Sequence, residues 1–192
     1  KVGGKVGGKA GGLECVLDED LTERSRAFVR ERANLSSRSQ STETTSSTPS
    51  NRQSNTTTHP SFTISLSNAQ WKHYLPSHQY RILREKKTEP QGLTQSNGGF
   101  LDHFRQGIYV CYGCNVPLYT SSMKTHSSSG WPSFHMCLRD SVYEAPDEDG
   151  SGRMEIMCAS CGGHLGHVFR ETTPPKEHHC VNSGSLIFVD RY

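Results

Sequence analysis

Two CxxC pairs constrain this chain more than any other feature: Cys111/Cys114 in CYGC and Cys158/Cys161 in CASC, separated by 43 residues. Each pair can present two thiolates to one metal ion from a tight turn. Two pairs complete the tetrahedral Cys₄ shell of a structural zinc site. The competing reading, a pair of redox-active CxxC motifs, calls for a helix opening in a βαβ setting, whereas the flanking residues here read as strands and turns. One structural zinc ion is therefore expected, contributing folding energy of roughly 10 kcal/mol or more. A closed Cys₄ shell leaves no coordination position for chemistry. Cys180, in HHCVNSGSL, is then free for another role, and a nucleophile is the first candidate.

The chain falls into two unequal parts. Residues 1–61 read as a disordered, low-complexity tail. It begins with the tandem repeat KVGGKVGGKAGG and ends in a Ser/Thr/Asn/Gln-rich stretch that buries too little apolar surface to offset its ordering entropy. Order is expected over 62–192. Ser67 or Asn68 can cap a short helix carrying Trp71 and Leu75 on one face. HQYRILREKK reads as a second short helix that ends before Pro90. Residues 90–99 form a Gly-rich loop. Beyond it come short segments rich in β-branched and aromatic residues: 108–111, 134–138, 141–145, 153–158, 167–169 and 185–189. DEDGSG at 147–152 reads as a hairpin turn. The ordered part is thus mainly β, with short N-terminal helices.

Charge and hydropathy narrow the function classes. The net charge is +2, and residues 61–192 hold 12 acids and 12 bases. A neutral domain argues against electrostatic binding of nucleic acid. No apolar run approaches 18 residues, so no membrane span is expected, and a monomer is expected. Seven cysteines would suit a secreted disulfide scaffold, but thiolates that must stay reduced fit an intracellular compartment, the cytoplasm first and mitochondria second. Arg and Ser over 24–40 suit a transit peptide; Glu14, Asp18, Glu19 and Asp20 argue against one.

Three segments outside the zinc pairs carry candidate chemistry, each with a plainer reading. Cys180 is either an activated thiolate among His178, His179 and Asn182 or a buried core thiol. His164 and His167 in GGHLGHVF either bind a polar oxygen or pass a proton, or ligate metal or brace a turn. Trp131 in SSSGWPSF, held between Gly130 and Pro132, is either an exposed platform for a methyl or thioether group or a core indole.

Together these segments resemble the methionine-R-sulfoxide reductase B family. The resemblance runs from about Trp71 to Val189 and rests on WKHYLPSHQYRILREKKTEP, FRQGIYVCYGC, SGWPSF, CASCGGHLGHVF and HHCVNSGSLIFV, in that order. It implies two antiparallel β-sheets stapled by a Cys₄ zinc site formed by Cys111, Cys114, Cys158 and Cys161. It implies thiol-dependent reduction of free or protein-bound methionine-R-sulfoxide, with Cys180 as nucleophile passing through a sulfenic acid that thioredoxin or another thiol reduces. Trp131 then matches the indole that packs on the substrate methyl, His164 and His167 the pocket histidines, and Asn182 the nearby polar residue. Glu171 stands where the family usually has Asp. His178 replaces a common Arg, and the loop over 90–99 is longer than usual. Many members carry a resolving cysteine where this chain has Ser129, which leaves Cys15, Cys137 or an external thiol to resolve. A non-catalytic zinc module of the Yippee-like or cereblon type would need the CxxC pairs but neither Cys180 in HHCVNS nor the GWPSF loop.

Overall fold

The computed structural model describes residues 62–171 and 177–190; Cys15 and the expected tail lie outside them. Two short helices come first. Ser67 caps α1 (Asn68–Tyr74) through a reciprocal capping box with Gln70, which satisfies donors that a helix start would otherwise leave unpaired. Helix α2 (Ser77–Leu83) follows Pro76. It stops short of the expected end because Lys86 takes a left-handed backbone, φ 53°, which a helix cannot accommodate. Residues 84–90 instead run extended toward the sheets. No helix among the described residues is long and apolar enough to cross a membrane.

Nine strands follow: β1 (Gly107–Cys111), β2 (Pro117–Thr120), β3 (Lys124–Thr125), β4 (Ser133–Phe134), β5 (Val142–Pro146), β6 (Met154–Cys158), β7 (His164–Arg170), β8 (Glu177–Val181) and β9 (Leu186–Asp190). They form a three-stranded sheet in the order β2-β1-β9 and a six-stranded sheet in the order β3-β4-β8-β7-β6-β5. Every pairing is antiparallel. The expected architecture of two antiparallel sheets with short N-terminal helices is the one observed.

Three local expectations need correction. The segment 134–138 is not a strand: only Ser133–Phe134 pairs. The chain then turns at Leu138, whose carbonyl accepts from the Ser141 hydroxyl at 2.7 Å. Cys180 does not precede a strand but lies within β8, which the polar run EHHCV does not advertise. His164 likewise belongs to β7 rather than to a turn before it.

Cross-strand register sorts the large sheet into two faces, because successive side chains point to opposite sides. Phe134, His179 and Val168 lie abreast on one face, and Ser133, Cys180, His167 and Glu155 on the other. The first row is core. Phe134 stacks on Tyr119 of the small sheet at 4.2 Å and meets Tyr109 edge-on at 5.1 Å. The second row carries the chemistry described below. His179 is therefore structural: it is almost fully buried, and its Nδ1 pairs with the Tyr119 hydroxyl at 3.0 Å.

Burial pulls the His179 imidazole below its ordinary range, only partly offset by Glu177. The unfolded chain takes up a proton near pH 6.5 where the folded one does not, so stability present above that pH is lost as pH falls below it. His179→Gln should flatten the pH dependence of urea unfolding between about pH 7 and 5.5. An undiminished slope in that variant would assign the loss to another group.

Candidate active site and metal centre

The two CxxC motifs fold alike. In each, the residue just after the second cysteine takes a left-handed backbone, Asn115 at φ 60° and Gly162 at φ 67°. Its N–H donates to the first cysteine's carbonyl at 2.8 Å in both turns. The two turns bring Cys111, Cys114, Cys158 and Cys161 together, all buried, with sulfurs within 4.8 Å of one another. Cys111 and Cys161 stand 3.7 Å apart, and Cys114 and Cys158 3.6 Å. Four thiolates around a zinc ion at about 2.3 Å stand about 3.8 Å apart by tetrahedral geometry, whereas a disulfide needs about 2 Å. The cluster has the spacing of a metal shell. Cys111 ends β1 of the small sheet and Cys158 ends β6 of the large one, so an ion held here joins the two sheets. Leu83 of α2 covers the cluster. A Cβ at Gly163 would come within 2.9 Å of a Leu83 methyl, and Arg84 donates to the Cys161 carbonyl at 3.1 Å.

Three residues beyond Cys161, β7 meets a bulge between Ile156 and Met157 of its partner strand. Strict alternation would put His164 and His167 on opposite faces. The bulge shifts the parity, and the two rings meet edge-on at 5.6 Å. Each ring is held by a carboxylate. His164 Nδ1 pairs with Glu155 at 2.7 Å and His167 Nε2 with Asp147 at 2.5 Å. Burial alone would raise the Glu155 carboxyl, but hydrogen bonds from His164 and Lys86 hold it below the ordinary range.

His167 stands directly opposite Cys180 in the β7–β8 register. Both line a cavity of about 100 Å³ with Thr88, Trp131, Arg153, Gly166, Phe169, Val181 and Asn182. The β7 and β8 backbones approach so closely there that a Cβ on Gly166 would fall 2.0 Å from the Cys180 carbonyl oxygen. Glycine is required at that crossing. Burial pushes the Cys180 thiol up, the Ser129 hydroxyl at 3.7 Å partly offsets this, and the Glu89 charge adds to the rise.

Glu89, which no sequence pattern marked, ties the site together. Its backbone carbonyl accepts from the Trp131 indole N–H at 3.1 Å, and its N–H donates to Asn182 Oδ1 at 3.0 Å. Its buried carboxylate accepts from the backbone of Ser183 at 2.5 Å and Gly184 at 2.8 Å, just past Cys180. Desolvation raises this carboxyl and those backbone donors offset part of the rise. Trp131 is thereby fixed as a half-buried cavity wall, and the core indole is Trp71 instead. Asn182 is a brace. Its side-chain amide donates to the Leu165 carbonyl at 3.0 Å while its oxygen takes the Glu89 N–H.

The remaining expected residues are dispersed. His164 is buried beside His167, off the cavity wall, and its Nε2 has no hydrogen-bond partner. His178 stacks on Phe169 at 5.3 Å and reaches the cavity through that ring. Glu171 is an exposed rim residue 3.9 Å from His178 Nδ1. Cys137 neighbours Ser141, Glu144 and Glu177, on the His179 face of the sheet and away from the Cys180 thiol. Besides Glu89, Glu155 and Asp147 went unmarked in the sequence.

Comparison with known proteins gives a consistent picture. A family model described as the SelR domain matches residues 75–190. The chain is 46% identical over 129 residues to peptide methionine sulfoxide reductase B3, chloroplastic, of Oryza sativa subsp. japonica, covering 66% of this chain and 54% of that protein. It is 49% identical over 123 residues to peptide methionine sulfoxide reductase B2, chloroplastic, of Arabidopsis thaliana, covering 62% and 58%. It is 46% identical over 126 residues to peptide methionine sulfoxide reductase B5 of Oryza sativa subsp. japonica, covering 64% and 89%. The chain thus spans little more than half the length of the first two.

The sulfur cluster predicts one tightly held zinc per chain. Cys111→Ser should lower zinc retained after dialysis against a chelator and lower the thermal midpoint, since metal binding in such sites is folding energy. Full zinc retention by that variant would mean the cluster is not the site.

Proposed function

We propose, on the premise that this chain belongs to the SelR domain family, that it reduces methionine-R-sulfoxide, free or within a protein, to methionine. The observation that carries this reading is the cavity itself. It sets the Cys180 thiol, the Trp131 indole and His167 around a space of about 100 Å³, enough for a thioether oxide and little more.

In this reading the substrate methyl rests on Trp131, whose orientation the Glu89 carbonyl holds. The Cys180 thiolate attacks the sulfoxide sulfur, and the oxygen is protonated from the His164/His167 side. Cys180 leaves as a sulfenic acid and the substrate as methionine. The thiol's sulfur is oxidised by two electrons, the substrate's sulfur is reduced by two, and the oxygen passes between them. Cys111, Cys114, Cys158 and Cys161 hold a structural zinc ion, which supplies no chemistry at the sulfoxide and keeps the frame rigid.

The sulfenic acid must then meet a thiol, releasing water and leaving a disulfide. Ser129 has no sulfur to offer, and Cys137 faces the other side of the sheet. We therefore favour an external reductant, thioredoxin or a small thiol, over an internal cysteine. The rim pair of Glu171 and His178, with Phe169 beneath, lies where a peptide carrying the oxidised residue would approach.

Assayed with a dithiol on the separate sulfoxide epimers, the protein should turn over the R form alone. Cys180→Ser should abolish this while retaining zinc. Trp131→Ala should lower kcat/KM about tenfold or more, the equivalent of a lost apolar contact of roughly 1.4 kcal/mol. Retained turnover by Cys180→Ser, or no turnover of either epimer by the parent protein, would replace the enzyme with a binding module.

A further inference from the structure

The Asp147–His167 pair completes a three-residue chain that ends at Cys180, resting on the reading just given. Asp147 directly follows β5 and opens the turn to β6. The turn is internally tied. The Asp149 N–H donates to Asp147 Oδ1 at 3.1 Å, the Ser151 N–H to Asp149 Oδ1 at 2.8 Å, and Arg153 to Asp149 Oδ2 at 2.6 Å. Asp147 Oδ2 is left to His167 Nε2 at 2.5 Å, with Arg153 3.6 Å away. Its side chain and that of His167 are each only slightly exposed, at 12% and 11%. Since a carboxylate can only accept, His167 carries its proton on Nε2, and Nδ1 is the nitrogen without a protein partner, on a ring that lines the cavity with Cys180.

We propose that Asp147 is a positioning residue. It holds His167 so that Nδ1 takes the Cys180 proton and then delivers it to the sulfoxide oxygen. The arrangement follows the general logic of nucleophile, base and orienting group. The step balances without any further reactant. The thiol proton passes to His167, the thiolate forms the new bond to the substrate sulfur, and the sulfur–oxygen bond breaks. The oxygen, bearing that proton, ends on Cys180, and methionine departs. Asp147 stabilises the imidazolium between the two transfers.

Several charged groups surround the ring. From β6 come Glu155, opposite His167 in register, and Arg153. From the segment after α2 comes Lys86, bridged to Glu155 at 2.9 Å and to Glu148 at 3.7 Å. His164 lies beside it on β7. Lys86 and Arg153 oppose a second positive charge, and Asp147 is the one carboxylate bonded to the His167 ring itself.

The test uses the zinc-loaded full chain. The pH dependence of Cys180 alkylation by iodoacetamide, followed on the Cys180 peptide, needs no sulfoxide and so is separate from the proposed activity. Asp147→Asn should slow alkylation at neutral pH about tenfold or more and shift its pH profile upward, with kcat/KM for the sulfoxide falling about a hundredfold; Asp147→Glu should recover part of both. Unchanged alkylation and reduction profiles in Asp147→Asn would overturn the inference. A parent protein that reduces no sulfoxide, yet whose alkylation profile shifts in Asp147→Asn, would sustain the coupling and remove the activity. Should Asp147→Asn not fold, ¹⁵N shifts of His167 in the parent protein decide: protonated Nε2 sustains the inference, and an unprotonated Nε2 with Nδ1–H overturns it.

Discussion

Four sulfurs held about 3.7 Å apart are the constraint on which the rest of the molecule depends. They sit where the two sheets come closest in sequence terms, one turn closing β1 and the other linking β6 to β7. Two short helices and a three-stranded sheet offer modest apolar area, and a domain of this size gains much from a staple. The same staple reaches the candidate site by short paths. His164 follows Cys161 by three residues, and the Tyr112 N–H, inside the first turn, donates to Ser185 at 2.8 Å, just past Cys180. Metal and thiol are therefore separate in chemistry and joined in structure.

The site itself is one face of one sheet. Cross-strand register lines up Ser133, Cys180, His167 and Glu155, and the opposite face is core. A single bulge lets His164 join His167, and a glycine lets β7 and β8 approach closely enough for the row to be compact. Polar groups on this face are satisfied by carboxylates from outside the row: Glu89 for the backbone past Cys180, Asp147 for His167. Burying those carboxylates is costly unless each is bonded, and each of them is. That expense is tolerable where geometry has to be held within a fraction of an ångström.

Much of this was legible in the sequence because it is local. The CxxC turns, the Ser67–Gln70 cap and the hairpin at 147–152 are read from residues within a few positions of each other. The cavity residues Cys180, His167 and Trp131 stood out as reactive or rigid types in unusual settings. What could not be read is non-local. Glu89 meets its partners at Ser183 across 94 residues, and no periodicity in TEP announces that. The sharing of a face by His164 and His167 depends on a bulge, since period-two counting separates them. Strand β8 hides in EHHCV because its pairing with β4 and β7, not its propensity, makes it a strand. Asn182 looked like a contributor to chemistry and turned out to brace the frame, since both ends of its amide are occupied by backbone groups.

The central claim is that one sulfur, on Cys180, receives the oxygen. A single turnover with methionine-R-sulfoxide, run without reductant and quenched with a sulfenic-acid trap, tests it most directly. The account predicts one methionine released per chain and the trap attached to Cys180, with Cys137 unmodified. Methionine released with the trap absent from Cys180, or carried by another cysteine, would contradict it.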